Sequence, residues 1–330
     1  MPSSDLERQE QSKRLSILES RITRPGLLYV DWPCKEAFVK RMTTVFREML
    51  ESPGIIHAPI AYDPLTARIA EQVGFRALDL GGYALGASSC VPEPLLSLEE
   101  VLTATRRITA AVSIPLMVDG GAGYGDPVHV IRTVQELERA GAAAVHIEDQ
   151  VYPKRVHYHK GLEHVIPAEE MCEKIRYAVR ARRDPDFVIA ARTDAMISDS
   201  FSEGIRRANM YAEAGADMVM LFPNTIEEAC RAPAEVRAPL IFVNSEGNRF
   251  GRPIFSIAEL ETMGYKMAND AISAIMVTFK SIKDLFSRLH DTGRTGMDQS
   301  VFIRVRKEIE DAIGLEHFYR IEEETVEKKN

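Results

Sequence analysis

Four short apolar runs in this chain each stop on a side chain suited to binding a small acidic ligand or its counter-ion. Ile114-Pro-Leu-Met-Val118 runs into Asp119, and Ala143-Ala-Val-His-Ile147 into Glu148 and Asp149. Phe187-Val-Ile-Ala-Ala191 runs into Arg192, and Leu240-Ile-Phe-Val243 into Asn244. Asp119 and Glu148 offer carboxylate oxygens to a hard cation, Mg²⁺ or Mn²⁺ in its place, an ion that takes one or two protein carboxylates and keeps several waters. Their structural alternatives are a turn cap for Asp119 and an ion pair with a nearby Lys or Arg for Glu148. A guanidinium at Arg192 suits two-toothed capture of a substrate carboxylate. Its structural alternative is an ion pair with Asp194 or Glu148.

The stretch from His146 to Lys160 is the densest in chemistry. Lys154, Arg155, His157, Tyr158 and His159 fall beyond the strand, on a segment placed to close over a ligand with positive charge and a proton donor. A solvated basic loop is the plainer reading. His146 lies inside the apolar run and reads as a satisfied core histidine. Gly81-Gly82-Tyr83 presents backbone amides to an oxyanion or carboxylate. Glu93, in Val91-Pro-Glu-Pro94, is a candidate base or supporting acid, although the same context fits an ordinary turn. Asn224, Asn244 and Asn269 are candidate donors to substrate oxygens, with Tyr62 and Tyr83 joining the expected substrate-binding set. Ser245 to Arg249 is polar, with no assignable role.

The elements that must gather these residues alternate strand and helix from Gly54 onward. Gly74, Gly141, Gly215 and Gly264 close helical stretches as left-handed caps do, and each precedes a β run. Strands are expected to begin near Ile55, Arg76, Ile114, Ala143, Phe187, Met218, Leu240 and Lys266. Asp126-Pro127 opens a helix whose buried stripe is Val130, Ile131, Val134 and Leu137. Repeated βα units predict a parallel (β/α)8 TIM barrel, in which all strand ends meet at one mouth. An open doubly wound sheet would carry a Gly-rich dinucleotide turn after its first strand, and Ala58 to Asp63 is not one. Gly120 to Gly125 lacks both the P-loop Lys-Ser/Thr and the dinucleotide spacing, and reads as a tight turn. Residues 1–52 form an expected N-terminal helical extension, charged from Asp5 to Arg24, with Phe38, Val39, Met42, Val45, Phe46 and Leu50 on one helical face. Residues 53–330 form the barrel and its C-terminal helices.

At 330 residues and 45% apolar content the chain fills one such barrel, and 41 Lys and Arg against 49 Asp and Glu leave a net charge of -8. No basic stripe marks a nucleic-acid surface, and no apolar run approaches the roughly 20 residues a membrane span needs. A soluble cytoplasmic protein with neither nucleic acid nor membrane as partner is expected. Cys34, Cys90, Cys172 and Cys230 have no paired spacing, so reduced thiols are expected rather than disulfides or structural zinc.

The set Gly81-Gly82, Val118-Asp119, Gly123-Tyr124-Gly125, Ile147-Glu148-Asp149-Gln150, Lys154-Arg155, Asp184 to Ala195 and Ala214 to Asp217 resembles the isocitrate lyase/phosphoenolpyruvate mutase superfamily, nearest its methylisocitrate lyase-like branch. The resemblance spans roughly Gly54 to Leu289. It implies a tetramer that exchanges a C-terminal helix between subunits, Mg²⁺ near Asp119 and Glu148, and an oxo- or hydroxy-acid held by Gly81, Gly82, Arg192 and Asn244. Four departures bear on the reaction. The family's Asp-x-Asp motif reads Asp119-Gly120-Gly121; its Lys-Arg-Cys-Gly-His reads Lys154-Arg155-Val156-His157-Tyr158. Asn224 stands where the lyases place Glu, and Glu93 where the pattern has Asp. The expected function is Mg-dependent carbon–carbon cleavage of a 2-hydroxy di- or tricarboxylate, with His157, Tyr158 or His159 replacing the absent thiol as proton donor. A 2-oxo dicarboxylate decarboxylase and a catalytically inactive binding homologue are the alternatives.

Overall fold

A computed structural model describes residues 40–248 and 250–327. Every helix and strand named below belongs to one compact unit, which begins at Arg41. The charged stretch Asp5 to Arg24, Phe38, Val39 and Cys34 lie outside the described residues, whereas Cys90, Cys172 and Cys230 are free thiols.

The unit opens with helix α1 (Met42–Glu51), then alternates β1 (Ile56–Pro59), α2 (Pro64–Val73), β2 (Leu78–Leu80), α3 (Gly82–Ser88), α4 (Leu98–Ala111) and β3 (Leu116–Asp119). It continues through α5 (Pro127–Arg139), β4 (Ala144–Glu148), α6 (Ala168–Ala181), β5 (Val188–Arg192), α7 (Ala195–Ser198), α8 (Phe201–Glu213) and β6 (Met218–Leu221). Then come α9 (Ile226–Glu235), β7 (Leu240–Asn244), α10 (Ile257–Met263), β8 (Met267–Asp270), α11 (Ser273–Thr292), α12 (Gln299–Ala312) and α13 (Leu315–Glu324). Single 3-10 turns cover Glu93–Leu95 and Val156–Lys160.

All eight strands are parallel, in the order β1-β8-β7-β6-β5-β4-β3-β2. A bridge between Ile60 and Asp79 closes the ring, reinforced by the Ala61 amide donating to the Asp79 carbonyl at 2.8 Å. This is the (β/α)8 barrel expected from the alternation, with each strand starting within two residues of its expected position.

Strand parity sorts the core into two layers, because successive side chains point to opposite faces. Met117, Ala144, Ala190, Met218, Met220, Ile241 and Met267 pack together inside the ring. Their neighbours Val118, Val145, Ile147, Ile189 and Ala191 pack outward against the helices. Helix α1 covers the N-terminal end of the strands: Phe46 and Leu50 join the inner cluster, and Arg47 pairs with Asp217 at 2.9 Å. Local capping follows the sequence signals. The Asp63 side chain accepts from the Thr66 amide ahead of α2, and Asp126 accepts from Val128 and His129 ahead of α5. Among the described residues no helix is long and apolar enough to cross a membrane.

Candidate active site

Counting inward by twos along the strands leads to the C-terminal mouth and a cluster of charge. Met117 is followed on the inner face by Asp119; Ala144 by His146 and Glu148; Ala190 by Arg192. Each of these polar residues is the last inward position or two of its strand. Asp119, His146 and Arg192 line one cavity of about 160 Å³, and Glu148 is fully buried beside it. The cavity wall also takes Gly81, Gly82, Tyr83, Glu93, Tyr158, Ser245 and Arg252 from the connecting segments.

The charges are closely coupled. Lys154 Nζ lies 2.5 Å from a Glu93 oxygen and 2.9 Å from Glu148 Oε1. Glu148 Oε2 accepts from the same ammonium at 3.1 Å and sits 3.3 Å from the Arg192 guanidinium. Arg192 in turn donates twice to Asp194, at 3.0 Å each, so both ion pairs named as its structural alternative exist. Tyr158 donates its phenol proton to Glu93, and Lys154 lies 4.1 Å from the centre of that ring.

Asp119 anchors the other wall. Its Oδ2 accepts from the Gly82 amide at 3.1 Å and its Oδ1 from Gly121 at 2.8 Å. A β-carbon on Gly82 would meet Glu93 Cγ at 2.9 Å and Asp119 Oδ2 at 3.1 Å, so only glycine lets those carboxylates approach this backbone.

Burial and neighbouring charge set the protonation states. For Asp119, burial pushes the carboxyl up, but Lys154 and Arg192, with His146 beside them, outweigh it and hold it at about 2. For Glu148, which is fully buried, burial pushes upward and the two cations check the rise. Lys154 is raised despite burial, because Glu148 and Glu93 favour its charged form. The Tyr158 phenol is pushed up by burial and by Glu93, so it keeps its proton at neutral pH.

Two residues of this interior, Asp79 and His146, carry no function on sequence grounds, and a third, Asn269, is expected only as a donor to substrate oxygens. His146 is not the satisfied core histidine expected. Its Nδ1, 3.7 Å from Asp119 Oδ1, has no hydrogen bond, and its Nε2 lies 3.8 Å from Asp79 Oδ1, which is also unpartnered. Asn269 donates to Asp79, while its own carbonyl oxygen is unpartnered. Burial lowers His146, against the pull of Asp119, and burial raises Asp79, with the Asp119 charge adding to the rise. Such orphaned polar atoms at a cavity floor are where a ligand's polar groups find partners. Strand parity was the available signal: Asp79, His146 and Asn269 occupy inward positions of β2, β4 and β8.

The same parity removes Asn244. It follows Val243, an inner-layer residue, so it points outward, where it donates to the Phe255 carbonyl at 2.7 Å and accepts from the Phe255 amide at 3.2 Å. Asn224 is also outside the cavity lining, its side chain donating to the Met196 carbonyl at 2.8 Å. Tyr62 bonds Thr278 at 3.0 Å and lines a separate groove. Arg155 and His157 are exposed, whereas His159 packs against the Tyr83 and Tyr158 rings at the cavity rim. Val156 is 51% exposed and does not line the cavity.

Among the described residues no set of three or more His, Cys, Asp or Glu side chains is arranged to cage a metal ion. The donor set nonetheless suits a hydrated Mg²⁺. Asp119 lines the cavity, Glu148 Oε1 makes no hydrogen bond and meets only the Lys154 ammonium at 2.9 Å, and a hollow of about 40 Å³ lies between Asp119, Gly121, Glu93 and Lys154. A divalent ion there draws most of its ligands from water and substrate oxygens.

The family profile described as phosphoenolpyruvate phosphomutase matches residues 46–289. A 2-methylisocitrate lyase from Aeropyrum pernix is 37% identical over 296 residues, 88% of this chain and 93% of its own. The chain belongs to the isocitrate lyase/phosphoenolpyruvate mutase superfamily. A 2,3-dimethylmalate lyase from Eubacterium barkeri is 35% identical over 282 residues, 84% of this chain and 95% of its own. Among solved structures, a phosphonopyruvate hydrolase complex with oxalate and Mg²⁺ superposes with a TM-score of 0.77 at 30% identity, covering 87% of this chain and all of that one. This superfamily member is a carbon–carbon lyase, as its relatives are.

Proposed function

We propose that the chain uses Mg²⁺ to cleave the C2–C3 bond of a 2-hydroxy di- or tricarboxylate of methylisocitrate or alkylmalate type, giving a 2-oxo acid and a carboxylate. The observation that best supports this is the convergence of Asp119, Glu148, Lys154, Arg192 and Glu93 beside the Gly81 and Gly82 amides, at a cavity sized for a small acid. Asp119 and Glu148 are the residues that would hold the ion, which when bound supplies Lewis-acid polarisation of the substrate's C2 oxygen.

The chain's own groups account for the proton movements. Glu93 takes the C2 hydroxyl proton, the C2–C3 electron pair moves into the departing carboxylate fragment, and Lys154 and Arg192 steady its developing negative charge. Tyr158 gives its proton to the fragment's carbon and recovers one from Glu93, to which it is hydrogen-bonded. This route supplies the proton that a thiol at position 156 would otherwise deliver. Val156 in that place equally favours the decarboxylase reading, in which carbon dioxide leaves and no C2 hydroxyl proton is removed.

One assay separates the readings. With Mg²⁺ and 2-methylisocitrate, 2,3-dimethylmalate or oxaloacetate supplied in turn, the 2-oxo acid, the carboxylate and carbon dioxide are each measured. Equimolar 2-oxo acid and carboxylate, abolished by Asp119→Ala, is the expected result. Carbon dioxide from oxaloacetate alone replaces this reading with the decarboxylase. No turnover together with no calorimetric binding of Mg²⁺ and oxalate leaves only an inactive homologue.

A further inference from the structure

Two guanidiniums reach the cavity, and they differ in what they touch. Arg192 is neutralised by Asp194 and Glu148. Arg252 has no ion pair and no side-chain hydrogen bond among the described residues, and its buried Nε is without a partner. Its guanidinium carbon lies 4.8 Å from the Phe222 ring centre, the ring that also carries Arg192 at 4.7 Å.

The backbone beneath Arg252 is pinned. Asn248 Oδ1 accepts from the Arg252 amide at 2.9 Å, while Asn248 Nδ2 donates to the carbonyls of Arg252 at 3.1 Å and Ser245 at 3.0 Å. A cation that is partly removed from water and has no ion pair carries a desolvation cost that the Phe222 ring and the more distant charges of Asp194 and Glu163 offset only in part. Burial first, and Arg192 second, push its pKa down, while Asp194 and Glu163 favour its charged form without reaching it as ion pairs. Arg252 also lines a recess of about 240 Å³, with Tyr83, His159, Glu163 and Ser245, that shares Arg192 and Phe222 with the wall of the inner cavity.

We infer that Arg252 forms a second anion subsite, so that the substrate carries a carboxylate at the end remote from Asp119. This rests on the lyase reading of the same cavity and names its substrate class more narrowly: a diacid lying between Asp119 and Arg252. A phosphonate group shares that chemistry, so the test carries an arm for it.

The experiment is calorimetric titration of the full chain with Mg²⁺ present, using pyruvate, 2-oxoglutarate and 3-phosphonopyruvate as probes, on wild type, Arg252→Met and Arg252→Lys. A charged hydrogen-bonded contact at a desolvated site corresponds to about a ten- to hundredfold effect. Wild type is therefore expected to bind 2-oxoglutarate about tenfold or more tighter than pyruvate. R252M erases that margin while leaving pyruvate within about twofold, and R252K keeps part of it. A margin that survives R252M, a parallel loss for pyruvate, or no margin in wild type overturns the subsite. Tighter binding of phosphonopyruvate than of 2-oxoglutarate overturns the carboxylate assignment. Failure of all three probes to bind wild type overturns the lyase reading itself, a different result from binding that ignores Arg252.

Discussion

At the scale of single residues, Gly121 is the most informative departure. It stands two residues after Asp119, where the superfamily pattern places a second carboxylate, and its φ of +50° lies in the left-handed region. A β-carbon there would meet nothing within 4 Å. Gly121→Asp is therefore expected to fit sterically, to cost about 1 kcal/mol of backbone strain, and to tighten Mg²⁺ at least about tenfold. Urea denaturation and calorimetric titration of Mg²⁺ with oxalate measure the two effects; unchanged affinity would show that the carboxylate does not reach the ion. Tyr158→Phe tests the proton route. It removes the hydroxyl bonded to Glu93 but keeps the ring beneath Lys154, so kcat should fall by about 10²–10⁴ while oxalate binding stays near wild type. Retained turnover would return the donor to His159 or to solvent.

At the scale of elements, what holds Arg192 in place is a chain of contacts reaching the outer helices. Gln150 donates to Asp194, and Asp149 accepts from the Thr193 hydroxyl and from the Tyr211 phenol at 2.7 Å each. Arg207, on α8, reaches Asp149 at 3.1 Å and is itself held by Glu203 at 2.7 Å. Hydrogen bonds from Arg206, then from Arg207, hold the Glu203 carboxyl at about 2. A depressed folded-state pKa means the stabilisation is present above the ordinary carboxylate range and is lost as pH falls through it toward 2. Discounted for partial exposure, it amounts to roughly 1–2 kcal/mol. Glu203→Gln should accordingly lower stability at pH 7 by that amount, and the gap to wild type should close between about pH 4.5 and 2. Denaturation curves at pH 7, 5 and 3 check this; a gap constant with pH would mean that the helix packing, not the charge, is responsible.

At the scale of the whole molecule, α11, α12 and α13 contribute no buried residue among those described. Yet Phe279, Ile282, Phe286, Phe302, Ile303 and Phe318 are all exposed. Contiguous apolar helix faces of this extent mark an interface. Light scattering coupled to size exclusion is expected to give a tetramer, and truncation after Asp270 to give smaller, less soluble species. A chain that runs as a monomer at micromolar concentration would contradict both the expected tetramer and the exchange of C-terminal helices that the family resemblance implies.

Much of this was legible along the chain, because the repeating βα unit writes itself locally. Gly and Pro at the joints, caps such as Asp63 and Asp126, and apolar runs ending in Asp119, Glu148 and Arg192 all follow from short-range backbone and hydrophobic rules. Those rules determine that a barrel forms and which strand ends carry charge. They give the alternation along each strand but not which of its two sets turns inward, and that one parity decided against Asn244 and in favour of His146 and Asp79. Nor do they reveal that Arg252 reaches the cavity unpaired while Arg155 faces solvent. Connecting segments have no period to read, and their side chains are placed by partners far away in sequence, so only the folded arrangement settles where such charges go.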